Sequence, residues 1–352
     1  MKTLIKLSEY RFKAQHLRTF RQLGEFKGRQ HQIIRQQPEI LDTLRQVAWL
    51  ESVERSNHLD SVFISPNVVR KLVLKEAKPT TPLERQVAGY SDGLDLVVDP
   101  AEHMEVSVGL VGQLHAMLYG HLLHEGGRWR ATNKDIIERN AKGIITGTLY
   151  RTIPAADIDQ AMCETIRQYH KGLRAGVDPL LLISAAILDF LCIHPFSDGN
   201  GRISRLLMLL MLSLNGYRVG QFISIERIFA QHEDAYNEAL KESVRNWHQG
   251  IHNPMPWIEF FLDVLIGAYS EWEHRVSALR RQGIRAPKTQ LIRTAIEQSE
   301  GLFSVADICI QLPTVSRELV KKVIQQFRDE GLLIAEGRGR GAQWQKTREP
   351  TC

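Results

Sequence analysis

The longest apolar block runs from Pro179 to Ile193 (Leu180, Leu181, Leu182, Ile183, Ala185, Ala186, Ile187, Leu188, Phe190, Leu191) and predicts a buried helix. Pro195 disfavours helical geometry at the residue before it, so this helix is expected to stop near Ile193 or His194 and to leave His194 projecting into a loop. A second apolar run over 203–214 predicts another buried helix. Further upstream the pattern is weaker: a basic segment to about Arg45 reads as helical, and a helical stretch runs from about Ile40 past Ser56 and Asp60. Two β-prone runs within 132–150, around a turn containing Asn140 and Gly143, predict a hairpin. The run from Pro256 to Leu262 reads as a packing helix. After a basic linker, Pro287 opens an amphipathic helix to about Glu297, Ser304 caps a second, and 315–330 forms a third. Gly331 to Ile334 and Ala342 to Gln345 then read as strands around a basic tip carrying Arg338 and Arg340.

This pattern predicts a mainly α protein in four parts: an N-terminal helical region over 1–100, a helical core with a hairpin over 101–250, a helical extension and linker over 251–285, and a small terminal domain over 286–352. The chemistry gathers between the two apolar helices, in His194-Pro195-Phe196-Ser197-Asp198-Gly199-Asn200-Gly201-Arg202-Ile203-Ser204-Arg205. Gly199 and Gly201 permit positive φ, and successive amides in such a turn converge into an anion-binding nest at a helix N-terminus. Arg202 and Arg205 are three apart and share a face. Asp198 is the loop's lone carboxylate and suits Mg²⁺ beside bound phosphates. A plain capping turn would use Asp198 and Asn200, but it needs neither two glycines nor a histidine and paired arginines between apolar helices.

The run resembles the Fic motif, HPFx(D/E)GNGRxxR, at every specified position. Most characterised Fic proteins are helical and transfer AMP from ATP to a hydroxyl side chain of a target protein. The resemblance implies that His194 deprotonates the acceptor hydroxyl, that Asp198 coordinates Mg²⁺, and that Gly199, Asn200 and Gly201 cradle phosphate oxygens. Arg202 would hold the β-phosphate and Arg205 the terminal phosphate, with Ser204 among the nucleotide-binding positions and Phe196 as core anchor. ATP is then the substrate, and an imidazole near neutrality suits the base.

The resemblance extends on both sides. Gly127-Arg128-Trp129-Arg130 leads into the 132–150 hairpin, which is similar to the Fic flap that registers a target protein by β-augmentation. Tyr236 with Leu240 resembles an element near the nucleotide base, although Asn237 replaces a second Tyr. Many Fic proteins carry an inhibitory (S/T)xxxE(G/N) helix whose Glu pairs with the second motif arginine. Ser56-Asn57-His58-Leu59-Asp60-Ser61 matches it with Asp60 for Glu and Ser61 for Gly or Asn. Weak inhibition through Asp60, lost inhibition, and use of another carboxylate such as Glu54 all remain open.

Composition agrees. With 352 residues, 43% of them hydrophobic, the chain can bury a full core. Four scattered cysteines without a CxxC pair suggest a reducing cytoplasm, with Cys163 and Cys192 as small core residues. No signal-peptide core is expected, and no apolar run reaches the roughly eighteen residues that span a bilayer. Net charge of +5 is mild; Arg18, Arg21, Lys27, Arg29 and Arg35 read as a solvated basic face. The terminal order of helix, helix, turn, helix and hairpin resembles a winged helix, with Ser316, Arg317, Lys321 and Lys322 facing a DNA groove and Arg338 and Arg340 on the wing. Three functions follow: AMP transfer, transfer or removal of another phosphate-linked group, and DNA-binding regulation by a nucleotide-sensing core. Fic cores also often self-associate, so a homo-oligomer is compatible.

Overall fold

The computed structural model describes residues 2–36, 38–100, 104–121, 126–139, 145–281, 288–299, 301–312, 315–337 and 342–347. Its first part comprises α1 (Lys2–Ile5), α2 (Ala14–Gln36), α3 (Pro38–Leu59), α4 (Pro66–Val73), α5 (Pro82–Val98) and α6 (Val108–Leu118). A hairpin of β1 (Asp135–Arg139) and β2 (Ile145–Arg151) precedes α7 (Ile158–Arg174), α8 (Pro179–Ile193) and α9 (Asn200–Leu214). Then follow α10 (Ile225–Gln231), α11 (Glu233–Val244) and α12 (Met255–Arg281). The C-terminal part holds α13 (Lys288–Gln298), β3 (Phe303–Ser304), α14 (Val305–Gln311), α15 (Arg317–Asp329), β4 (Leu333–Glu336) and β5 (Gln343–Lys346).

The helix α8 is apolar all round because it is buried all round. It packs on α7, α9, α12, α11 and α1, and α9 in turn packs on α5, α6 and α3. Pro179 occupies the first turn, where its missing N–H costs nothing, and the Asp178 carboxylate accepts the Leu180 N–H at 2.8 Å. At the other end His194 is the C-cap in left-handed geometry, φ 52°, immediately before Pro195. The charge inside this apolar run, Asp189, is fully buried and accepts the Thr3 and Leu4 N–H groups at 3.0 and 3.1 Å and Trp247 Nε1 at 2.7 Å. It thereby satisfies amides of the first turn of α1 and seats that helix on α8.

Two hydrophobic cores are distinct. The larger is centred on α8 and α9 and draws on helices from α1 to α12. The smaller joins Ile292, Ile296, Phe303, Ile308, Val320, Val323, Ile324, Phe327 and Leu333. Its sheet runs β3-β5-β4, all antiparallel, and the two-residue strand β3 was not anticipated from the sequence pattern. Ser304 caps α14 in a reciprocal box with Asp307. Cys192 is buried, whereas Cys163 is exposed, which corrects its expected core role: the inner face of α7 is made by Ile158, Met162, Thr165 and Tyr169. Part of the basic α2 face is paired, with Arg21 to Glu25, Arg29 to Glu273 and Lys27 over the Tyr217 ring. Among the described residues, no helix is long and apolar enough to cross a membrane.

Candidate active site

The 194–205 loop is built from its anchor outwards. Phe196 is fully buried, stacks on His115 at 3.8 Å between ring centres, and meets Trp129 and Phe190. Asn200 closes the loop: its Oδ1 accepts the Phe196 N–H at 3.0 Å and its Nδ2 donates to the Phe196 carbonyl at 2.8 Å. The Asn200 side chain is thus structural, and only its backbone amide is left to serve the expected phosphate cradle. Gly199 is the N-cap of α9 with φ 75°, and no side chain caps that helix, so its first amides stay available to an anion. Gly201 is helical, contrary to the expected positive φ. Its lack of a Cβ serves close approach instead, since a Cβ there would lie 2.5 Å from Asp60 Oδ1.

Asp60 stands one residue past the end of α3 rather than within it. One of its oxygens, Oδ2, lies 3.1 Å from Arg202 Nε and 3.1 Å from Arg205 Nη2. Ser56 completes the seat: its Oγ accepts Arg205 Nε at 2.7 Å and its carbonyl accepts Nη2 at 2.8 Å. Ser61, expected to end the helix less cleanly than glycine, takes the left-handed conformation at φ 59°. Glu54 pairs with Arg55 instead of the motif arginines. Both arginines are buried, at 1% and 5% exposure for Arg202 and Arg205, so neither forms part of a solvated face. For Arg205, burial works against the charge, but Asp60 and the neighbouring Tyr90, Tyr236 and Glu226 raise its pKa. Arg202 also donates to Gln86 Oε1 at 2.6 Å.

Asp198 is the exposed carboxylate of the loop, and Tyr119 OH donates to its Oδ2 at 2.5 Å while Arg202 Nη2 lies 3.5 Å away. Burial opposes its charge, yet the Tyr119 hydrogen bond and the Arg202 charge outweigh that and hold its pKa below the usual carboxylate value. Among the described residues no three His, Cys, Asp or Glu side chains form a metal cage. A single ionised carboxylate beside an amide cradle and two arginines fits Mg²⁺, which keeps several waters and shares its remaining ligands with phosphates. His115 orients this carboxylate's backbone. Its Nδ1 accepts the Gly127 N–H at 2.9 Å, so Nε2 carries the proton and donates to the Asp198 carbonyl at 3.2 Å.

His194 is half-buried at the mouth of the loop, and its pKa is lowered to about 4, by burial first and then by the Lys134 and Arg130 charges. The imidazole is therefore neutral at pH 7 and able to accept a proton. The hairpin stands beside it: Lys134 Nζ donates to the Ser197 carbonyl at 2.5 Å, and Tyr150 OH donates to the Leu191 carbonyl. The β1–β2 pair has register shifts at Ile136/Ile137 and Glu138/Arg139, and the turn over 140–144 lies outside the described residues.

The model of the Fic/DOC family matches residues 105–212, which hold α6, the hairpin, α7, α8, the loop and most of α9. This chain carries a Fic domain. Solved structures agree on the fold. A Fic family protein from Desulfovibrio desulfuricans G20 is 18% identical, with 97% of this chain and 99% of that one covered and a TM-score of 0.62. A Fic-domain-containing signalling protein from Bacteroides thetaiotaomicron VPI-5482 is 17% identical over 76% of this chain and 99% of that one, at 0.60. A Fic-1 fragment from C. elegans is 16% identical over 77% of this chain and 74% of that one, at 0.57.

Within the Fic domain Ser204 is turned away from solvent at 3% exposure, and its hydroxyl donates to the Gly201 carbonyl at 2.7 Å, so it braces α9. Tyr236, beyond the matched residues, packs among Phe229, Trp257 and Phe260 and lies within the electrostatic reach of Arg205 and Asp60. That places it at the arginine end of the site, with packing as its evident role. Arg317, Lys321 and Lys322 are exposed along α15 in the C-terminal part, and Ser316 caps that helix. Arg338 and Arg340 lie outside the described residues. Sequence reasoning missed His115, Tyr119 and Gln86, which come from α6, its C-cap and α5 and meet the loop only in the fold.

Proposed function

We propose that this protein is a protein adenylyltransferase that moves AMP from ATP to a Ser, Thr or Tyr hydroxyl of a target protein, with Asp60 restraining it. Fic domains commonly transfer nucleotide or other phosphate-linked groups onto proteins. The observation that carries the reading is the convergence of both motif arginines on one carboxylate beside the uncapped N-terminus of α9. An anionic oxygen already occupies the place where a phosphate oxygen would be held.

In this reading the target hydroxyl lies against neutral His194, which takes its proton as the hydroxyl oxygen attacks the α-phosphorus in line. The bond between the α-phosphorus and its bridging oxygen breaks, and pyrophosphate leaves with the electron pair. Arg202, Arg205 and the amides at 199–201 hold the leaving phosphates. Asp198 would hold Mg²⁺, which supplies charge neutralisation across the phosphates when bound. The hairpin beside His194 would register the target's segment as an added strand. Asp60 occupies both arginines and so competes with phosphate.

Incubation with labelled ATP and Mg²⁺, followed by mass spectrometry of the modified residue, tests the reading. Label on a hydroxyl that His194→Ala abolishes supports it. A different added mass would favour transfer of another phosphate-linked group, and equal absence of label in Asp60→Ala with and without His194→Ala, where the restraint is lifted, would overturn the enzyme reading.

A second activity is supported by the C-terminal part. Its three helices and three-stranded sheet follow the order of a winged helix, and α15 presents Arg317, Lys321 and Lys322 to solvent. We propose that this helix enters the major groove of DNA. Gel-shifted duplex whose affinity falls steeply with salt would support it, and salt-insensitive or absent binding would not.

A further inference from the structure

Arg130 is 3% exposed, and among the described residues no carboxylate pairs with it. A buried guanidinium without an anion is costly unless its donors are used, and here backbone carbonyls use them. Its Nε donates to the His194 carbonyl at 2.9 Å and Nη1 to Thr132 at 2.8 Å. Its Nη2 donates to Ile153 at 2.6 Å and, more distantly, to Ile193 at 3.4 Å. Its own backbone N–H donates to the Pro195 carbonyl at 2.9 Å.

These acceptors belong to three separate pieces of chain. Thr132 is the segment entering the hairpin, Ile153 is the segment leaving it, and 193–195 is the end of α8 where His194 sits at φ 52°. The last carbonyls of a helix lack intrahelical partners and attract positive charge. A histidine at positive φ is a strained position that persists only where its surroundings hold it. The planar fork of arginine can reach carbonyls on several sides at once, which lysine cannot.

We infer that Arg130 is a positioning residue: it clamps both feet of the hairpin to the backbone of His194, so that the target-registering strand and the base move as one unit. The clamp's role in catalysis rests on the AMP-transfer reading, but its geometry does not. It predicts that Arg130→Met loosens 132–136, 150–153 and 193–196 together, with amide exchange faster by about tenfold in all three. The neighbouring exposed Arg128, changed to Met, should leave all three unchanged. Labelling by Arg130→Met should fall about a hundredfold in kcat, with nucleotide affinity retained.

A second test needs no catalysis and tolerates a variant that folds poorly. Arg130→Lys is combined with His194→Gly, glycine being free of strain at positive φ. If Arg130 holds the strained backbone, the drop in urea midpoint caused by Arg130→Lys should be about halved in the glycine background. Additive losses, or faster exchange confined to one of the three segments, would overturn the clamp. Asp60→Ala protein that transfers nothing would count against AMP transfer alone, and exchange and additivity would still decide the clamp.

Discussion

One oxygen of Asp60 answers two arginines, and that economy follows from its short side chain. Standing just past the end of α3, it reaches Arg202 and Arg205 with Oδ2 at 3.1 Å each while Ser56 takes the other donors of Arg205. Removing the carboxylate in Asp60→Ala should speed self-labelling by about tenfold or more, the worth of a charge-assisted hydrogen bond. An unchanged rate would remove Asp60 as the restraint. Ser61 next to it is held at φ 59°, so Ser61→Gly should raise stability by about 1 kcal/mol in urea unfolding. The pH profile follows from His194. Its folded pKa, about 4, lies below the ordinary 6.5, so the basic form persists as pH falls and is lost only through about 4. The rate limb assigned to His194 should therefore appear near pH 4; a limb near 6.5 would contradict the burial argument. At this scale the loop was legible because His194, Pro195 and Gly199 act through local backbone rules. Asp60 was found through a pattern, but its hold on Arg202 as well as Arg205 depended on where α3 ends.

Helices α8 and α9 set the site because one ends in a left-handed histidine and the other begins on a left-handed glycine without a capping side chain. Both were legible: continuous apolar runs bounded by proline and glycine leave few alternatives. The start of α9 fell three residues earlier than the apolar pattern alone suggests, since Asn200, Gly201 and Arg202 are polar yet helical. The hairpin was legible from its turn residues, but not its attachments, because Arg130, Lys134 and Tyr150 bond to main-chain carbonyls that carry no sequence signature. His115, which meets the Asp198 carbonyl, and Tyr119, which meets the Asp198 carboxylate, are invisible too: each is an ordinary residue at the end of α6 until the fold brings Asp198 to it. In α2, Gly24 and Gly28 are helical and a Cβ at either would meet nothing within 4 Å. Gly24→Ala and Gly28→Ala should each add about 0.5–1 kcal/mol to stability, read as a higher urea midpoint. A loss at either site would mean that the exposed face of α2 is in contact with something else.

Across the whole molecule, the helical part from α1 to α12, which includes the Fic-matched residues 105–212, and the C-terminal part have separate cores, so the proposed AMP transfer and DNA binding would fall on different cores. The basic face of α15 is the feature that would engage nucleic acid, through Arg317, Lys321 and Lys322. Replacing Lys321 with Ala should weaken duplex binding across sequences and flatten the log–log salt dependence by roughly one phosphate contact. An unaltered salt slope would place the contact elsewhere. The order of these elements was legible from caps and turns, whereas the strand β3 was not, because two residues between helices show no alternation. The 194–205 loop and its restraint by Asp60 are tested together by the rate of self-labelling from labelled ATP and Mg²⁺ in wild type, Asp60→Ala and His194→Ala, side by side. Labelling should rise in Asp60→Ala and vanish in His194→Ala. Labelling that persists without His194, or that is absent even when Asp60 is removed, would contradict His194-dependent AMP transfer.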